Sequence, residues 1–198
     1  MKTLTDFTRE YVRVLPNGGA MLSTLSARYV QTAKELGLRH TPMIFELKHG
    51  RVSGKHYDTM AEVIEVIVCD MEGQEELLAA IHATVVWYWA SMAPSFTSES
   101  LERLRILGRE MRESWDVFRT PEVIAAMARD GSDIPRGDLD AIPKMHRAVA
   151  HLSDFIALYG PFESLTTETS EAANKPLKAC FRTYVPLQLH ECLKFAFR

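Results

Sequence analysis

Residues 97–118, TSESLERLRILGREMRESWDVF, decide the fold. Leu101, Leu104, Leu107, Met111, Trp115 and Phe118 recur at spacings of three and four, while Glu99, Glu102, Arg105, Arg109, Arg112 and Glu113 occupy positions between them. A helix with about 3.6 residues per turn puts the first set on one face and the second on the other. Thr97 or Ser98 supplies the side-chain oxygen that starts it. Glu102 and Arg105 form an i,i+3 surface pair worth only about 0.2–0.5 kcal/mol, so part of this charge run solvates the outer face of a helix rather than building a site.

Working outward, the preceding segment, residues 75–92, carries Leu77, Leu78, Ile81, Val85, Trp87, Tyr88 and Trp89 and is apolar on most sides. That composition predicts a central, largely buried helix. Further upstream, Leu4, Phe7, Tyr11, Val14 and Leu15 mark a helix over 4–15, stopped by Asn17-Gly18-Gly19, and Leu22, Leu25, Tyr29 and Ala33 mark another over 20–36, stopped by Gly37. Pro42, Gly50 and Gly54 punctuate residues 38–54, which read as a loop around the short apolar run Met43-Ile44-Phe45. Ser53 then caps a helix over about 55–71 with Met60, Val63, Ile64, Ile67 and Val68 on its apolar face; Val66-Ile67-Val68 also suits a strand, but the spacing of Glu62 and Glu65 favours helix.

Downstream, Thr120-Pro121-Glu122 restarts a helix with proline in its first turn. Residues 130–143, rich in Asp, Gly and Pro, read as a linker. A helix over 144–159 follows, carrying Val149, Leu152, Phe155, Ile156 and Tyr159 and closed by Gly160-Pro161, and two further helical stretches cover about 170–182 and 186–198. The expected fold class is mainly α, a helical bundle without internal repeats. Its expected organisation is a helical body over 1–130, with N-terminal helices and a loop in 1–54, a linker over 131–142 and a C-terminal helical segment over 143–198.

Composition agrees with a folded soluble chain: 198 residues, 46% hydrophobic and 25% charged, suffice for a substantial core. Lys and Arg number 23 against 26 Asp and Glu, a formal charge of -3, so no global positive field draws the chain to phosphates. Cys69, Cys180 and Cys192 are widely spaced and form no metal-binding knuckle, which points to a reducing compartment. Asp6 and Glu10 break any leader-like pattern, and the longest apolar stretch, 79–92, is too short to cross a bilayer. The expectation is a nuclear or cytoplasmic protein without a membrane partner.

Chemical motifs are sparse. Gly18-Gly19 lacks the Gly-Lys-Ser/Thr sequence of a phosphate loop, and no Gly-x-Ser-x-Gly elbow occurs. Among seven histidines only His146 and His151 are close, and their spacing of five does not bring two imidazoles onto one α-helical face, so the pair alone predicts no zinc site. Glu163, Glu168 and Glu171 precede Lys175, Lys178 and Arg182. Such acids beside cations suit a divalent-metal phosphoryl site, or simply helix-start acids followed by basic residues. Residues 172–198 hold five basic residues against one acidic, a local positive patch suited to a solvated face or to a phosphate backbone.

One stretch resembles a known group. Pro143-Lys144-Met145-His146, His151, Ile156, Tyr159-Gly160-Pro161 and Glu171-Ala172-Ala173-Asn174-Lys175 with Lys178 are similar to the closing section of eukaryotic cut-and-paste transposases of the CACTA, Plavaka and Kyakuja-Dileera-Zisupton types. The segment 95–118 resembles their helical insertion, and the likeness spans about 55–182. It implies a ribonuclease-H-like core in which two aspartates and a late glutamate bind two divalent ions. Glu171 would then be the catalytic, metal-binding glutamate for Mg2+ or Mn2+. Lys175, Lys178 and Arg182 would contact DNA, and Lys144, His146 and His151 would be motif residues without an assigned role. No aspartate ends an apolar strand before Lys55, so the first two acids have no counterpart. The resemblance thus implies a fragment or domesticated remnant that is inactive alone unless the missing acids are supplied.

Two functions follow as expectations. The first is a transposase-derived segment related to metal-dependent DNA cleavage and transfer, with DNA as partner. The alternative is a non-enzymatic helical module that binds a protein partner, or a second copy, through exposed apolar groups, with Trp87, Trp89 and residues 193–197 as candidates.

Overall fold

The structure, a computed structural model, describes residues 1–38, 45, 54–129 and 146–161. Helices account for most of these residues, and no strand occurs among them. In chain order they are α1 (Lys2–Val14), α2 (Gly18–Glu35), α3 (Gly54–Val68), α4 (Glu75–Ser91), α5 (Ser98–Ser114), a 3-10 turn (Trp115–Arg119), α6 (Pro121–Arg129), a π-helical turn (Arg147–His151) and α7 (Leu152–Tyr159). The linker expected over 131–142, the loop tip Met43-Ile44, the cap Ser53 and the helices expected beyond 170 lie outside the described residues.

The start of α5 follows from its sequence. Thr97 Oγ1 accepts from the Ser100 backbone N–H at 3.1 Å, while Ser100 Oγ accepts from the Thr97 N–H at 2.7 Å, a reciprocal capping box. Leu104, Leu107, Met111, Trp115 and Phe118 are buried as the periodicity predicts. The helix is shorter than that periodicity implies, because its last turn tightens at Trp115 into the 3-10 turn. Val123 N donates to Thr120 Oγ1 at 3.4 Å, so Thr120 opens α6 with Pro121 in its first turn. Gly160, at φ 94, ends α7 in a backbone conformation unfavourable to other residues.

Consecutive helices pack side by side from α1 to α5, and the π-turn and α7 then lie on α5. Helix α6 returns to α1, which also touches α4. Helix α1 is therefore surrounded, and every residue from Leu4 to Glu10 is buried. This corrects the expectation for 75–92. Helix α4 buries Leu77, Ala80, Ile81, Thr84 and Val85 on one side but exposes Ala79, His82 and Trp89 on the other. Apolar composition alone does not separate the two cases, because alanine is tolerated at a surface and aromatic residues with polar tips reach it.

The polar residues within α1 are accommodated by partners from the same helix. Arg9 Nε bonds Glu10 Oε1 at 2.7 Å, Arg9 reaches Asp6 at 3.4 Å, and Arg13 bonds Glu10 at 2.8 Å. Around this helix Phe7, Trp115 and Phe118 form a mutual aromatic cluster with centroids 5.3–5.5 Å apart. The Trp115 indole N–H donates to Thr84 Oγ1 at 2.7 Å, so its polar edge is satisfied inside the core. The apolar faces expected of α2 and α3 are the buried ones, and Val66 is exposed beside buried Ile67 and Val68, which resolves that run as helix.

Candidate histidine site on the rim of α5

Among the residues the sequence singles out, Lys144, Glu163, Glu168, Glu171, Lys175, Lys178, Arg182 and residues 193–197 lie outside the described ones. His146, His151, Trp87 and Trp89 lie within them, and the first two come together.

In the described part of the segment expected as one α-helix over 144–159, the α-type winding is interrupted. In an α-helix, residues five apart point about 140° away from each other. From Arg147 to His151 the backbone winds as a π-turn, whose i→i+5 hydrogen bonds bring a residue nearly over the one five positions earlier. His146 Nε2 and His151 Nε2 consequently stand 3.2 Å apart, with ring centroids at 4.9 Å and planes at 79°. Both side chains are exposed. The expectation that these imidazoles diverge is thus corrected, and the physical reason is the wider turn.

Gly108 of α5 lies directly beneath this turn. A Cβ built there would sit 3.6 Å from Val149 Cα and 3.5 Å from Trp87 Nε1, so three elements meet here with room for a methyl group but not for a larger side chain. Val149 packs on the core from the π-turn, while the Trp87 indole N–H is buried here with no hydrogen-bond acceptor among the described residues. Trp87 therefore fills a junction rather than offering a surface anchor. One turn earlier on α5, Arg105 donates to Asp154 at 2.8 Å and to Glu102 at 3.0 Å. The hydrogen bond to Asp154, then that to Glu102, holds the guanidinium still more firmly in its charged form. Helix α7 is thereby tied to α5 at its first turn, with Ser153 and Ile156 inward.

The opposite face of α7 is apolar and open. Phe155, Leu158 and Tyr159 are 46%, 74% and 63% exposed, and the rings of Phe155 and Tyr159 stack with centroids 6.1 Å apart. On α4, Trp89 is 44% exposed and lies edge-on to Tyr88, whose hydroxyl donates to Asp58 at 2.8 Å.

A second group, Glu65, Cys69 and His82, lines a shallow recess of about 220 Å³ between α3 and α4. His82 Nδ1 stands 2.6 Å from Glu65 Oε1. A cysteine beside such a pair suggests a nucleophile, but the exposed Cys69 thiol is pushed up, first by its hydrogen bond to Asp70 and further by the Asp70 charge. The thiolate needed for attack is disfavoured. Among the described residues no three His, Cys, Asp or Glu side chains gather as a metal cluster, and no helix is long and apolar enough to cross a membrane.

No protein-family model, no curated protein and no solved structure matches the chain. The likeness to transposases rests on the quoted motif alone.

Proposed function

We infer that the chain is a non-enzymatic helical module whose α7 docks into an apolar groove of a protein partner. The observation that carries this reading is the spacing and exposure of Phe155, Leu158 and Tyr159: i, i+3 and i+4 on one open helix face, the anchor pattern of a helix laid into a hydrophobic groove. Arg105 and Asp154 support it by holding α7 already formed, so that little ordering entropy opposes association. The transposase-derived reading, with Mg2+ or Mn2+ at Glu171, DNA at Lys175, Lys178 and Arg182, and a role for Lys144, draws on residues outside the described ones, and no feature of the described surface adds to it.

A photo-crosslinking amino acid at position 158 of the full chain tests the proposal in cells. The expected result is one defined heterologous adduct that disappears with Phe155→Asp, while the purified partner binds the unmodified chain and loses at least tenfold in affinity for that variant. Crosslinks confined to this chain's own residues 162–198, or to a second copy of it, would overturn the heterologous reading.

A further inference from the structure

We propose that His146 and His151 form a two-histidine site for a divalent transition-metal ion such as Zn2+. The geometry points to it in three ways. First, two imidazole nitrogens bound to one tetrahedral ion at about 2.05 Å stand ~3.3 Å apart and place their ring centroids ~5.2 Å apart, a few tenths of an ångström from what the pair shows. The observed separations are 3.2 Å and 4.9 Å. Second, a linear N–H···N hydrogen bond between the rings at that nitrogen separation would put the centroids about 5.5 Å apart, because both rings would lie along one line. The shorter centroid distance excludes two collinear rings and leaves room for both Nε2 lone pairs to meet an ion beside the line joining them. Third, both side chains are exposed, so an ion reaches this point without opening the core.

The rare π-turn supplies the convergence. With α-helical winding the same two residues would diverge, and here the turn is supported from beneath by the contact of Val149 with Gly108. Neutral imidazole nitrogen is a preferred donor for Zn2+, Cu2+ and Ni2+. Two protein ligands leave positions open to water or to a donor from a bound molecule, unlike the closed set of a structural zinc site. Asp154, one turn beyond His151, is engaged by Arg105, which leaves the pair as the donors at this point among the described residues. The site does not depend on the docking of α7, since it is read on the free chain.

Titration of the full chain with ZnCl2 alone, followed by calorimetry, tests the proposal against His146→Ala, His151→Ala and the double variant. The double variant keeps His40, His49, His56, His82 and His190 and so defines the background. One equivalent bound above that background is expected, with affinity reduced at least tenfold in each single variant, while circular dichroism shows unchanged helix content. X-ray absorption of the zinc-loaded chain should show two imidazole ligands. Equal binding by the double variant, or wild-type affinity in either single variant, would overturn the assignment. So would the absence of binding above the background.

Discussion

At Gly18 the backbone turns from α1 into α2 so tightly that a Cβ would collide with the Val12 carbonyl oxygen and lie 2.7 Å from that of Arg13. Both obstacles are main chain at the end of a helix and cannot swing aside. Asn17, just before it, takes the left-handed conformation at φ 60, which Asn tolerates better than most residues. Gly18→Ala is therefore expected to destabilise the chain by about 1–3 kcal/mol, as overpacking does, despite alanine's better helix propensity. A lower urea midpoint with an unchanged denaturant slope would confirm it; unchanged or raised stability would contradict it. The sequence Asn17-Gly18-Gly19 signals the stop, but not which glycine is sterically required, because that depends on the carbonyls of the preceding turn. Gly19 has open space around its position and carries no such expectation.

Among the elements, α5 is the most legible and the π-turn the least. Both faces of α5 can be read from residues that all obey one period, and its cap is written in Thr97 and Ser100. The pairing of His146 with His151 is hidden because every periodicity argument presupposes α-helical winding; an interval of five signals a site only once the wider turn is known. Its support is also remote in sequence, at Gly108. The space there accepts a methyl group at ordinary contact distance, so Gly108→Ala should leave the turn intact and raise stability by up to about 1 kcal/mol through helix propensity. Gly108→Leu, by contrast, should force Val149 and Trp87 apart and cost about 1–3 kcal/mol. Nuclear Overhauser contacts between the His146 and His151 rings should survive the first substitution and vanish in the second. Their survival in the leucine variant would show that the turn does not rest on Gly108.

For the whole molecule, the position of α1 matters most. Its sequence displays an ordinary amphipathic pattern, and Asp6, Arg9 and Glu10 look like a solvated outer face. Enclosure by α2, α4 and α6 is a property of the assembly that no local pattern contains, and the ion pairs within the helix permit it. Glu10→Gln should cost about 3 kcal/mol, since Arg9, 3% exposed, would lose its closest counter-charge in the interior. Chemical denaturation should show that loss as a single cooperative transition at lower urea. A change below about 0.5 kcal/mol would mean that the pair is effectively solvated. The mainly α class is thus legible from the chain, whereas the distinction between central and peripheral helices is not.

The enclosure of α1 also has a consequence during synthesis. Its neighbours Trp115, Phe118 and Val123 are encoded about a hundred residues later, so at about 5–20 residues per second they are added roughly 5–20 s after α1 is complete. Through that interval the apolar side of the helix has only the early helices to lean on, and the nascent chain offers an adhesive segment to chaperones. Closure of the core is a late, long-range event, and the emergence of the aromatic cluster times it.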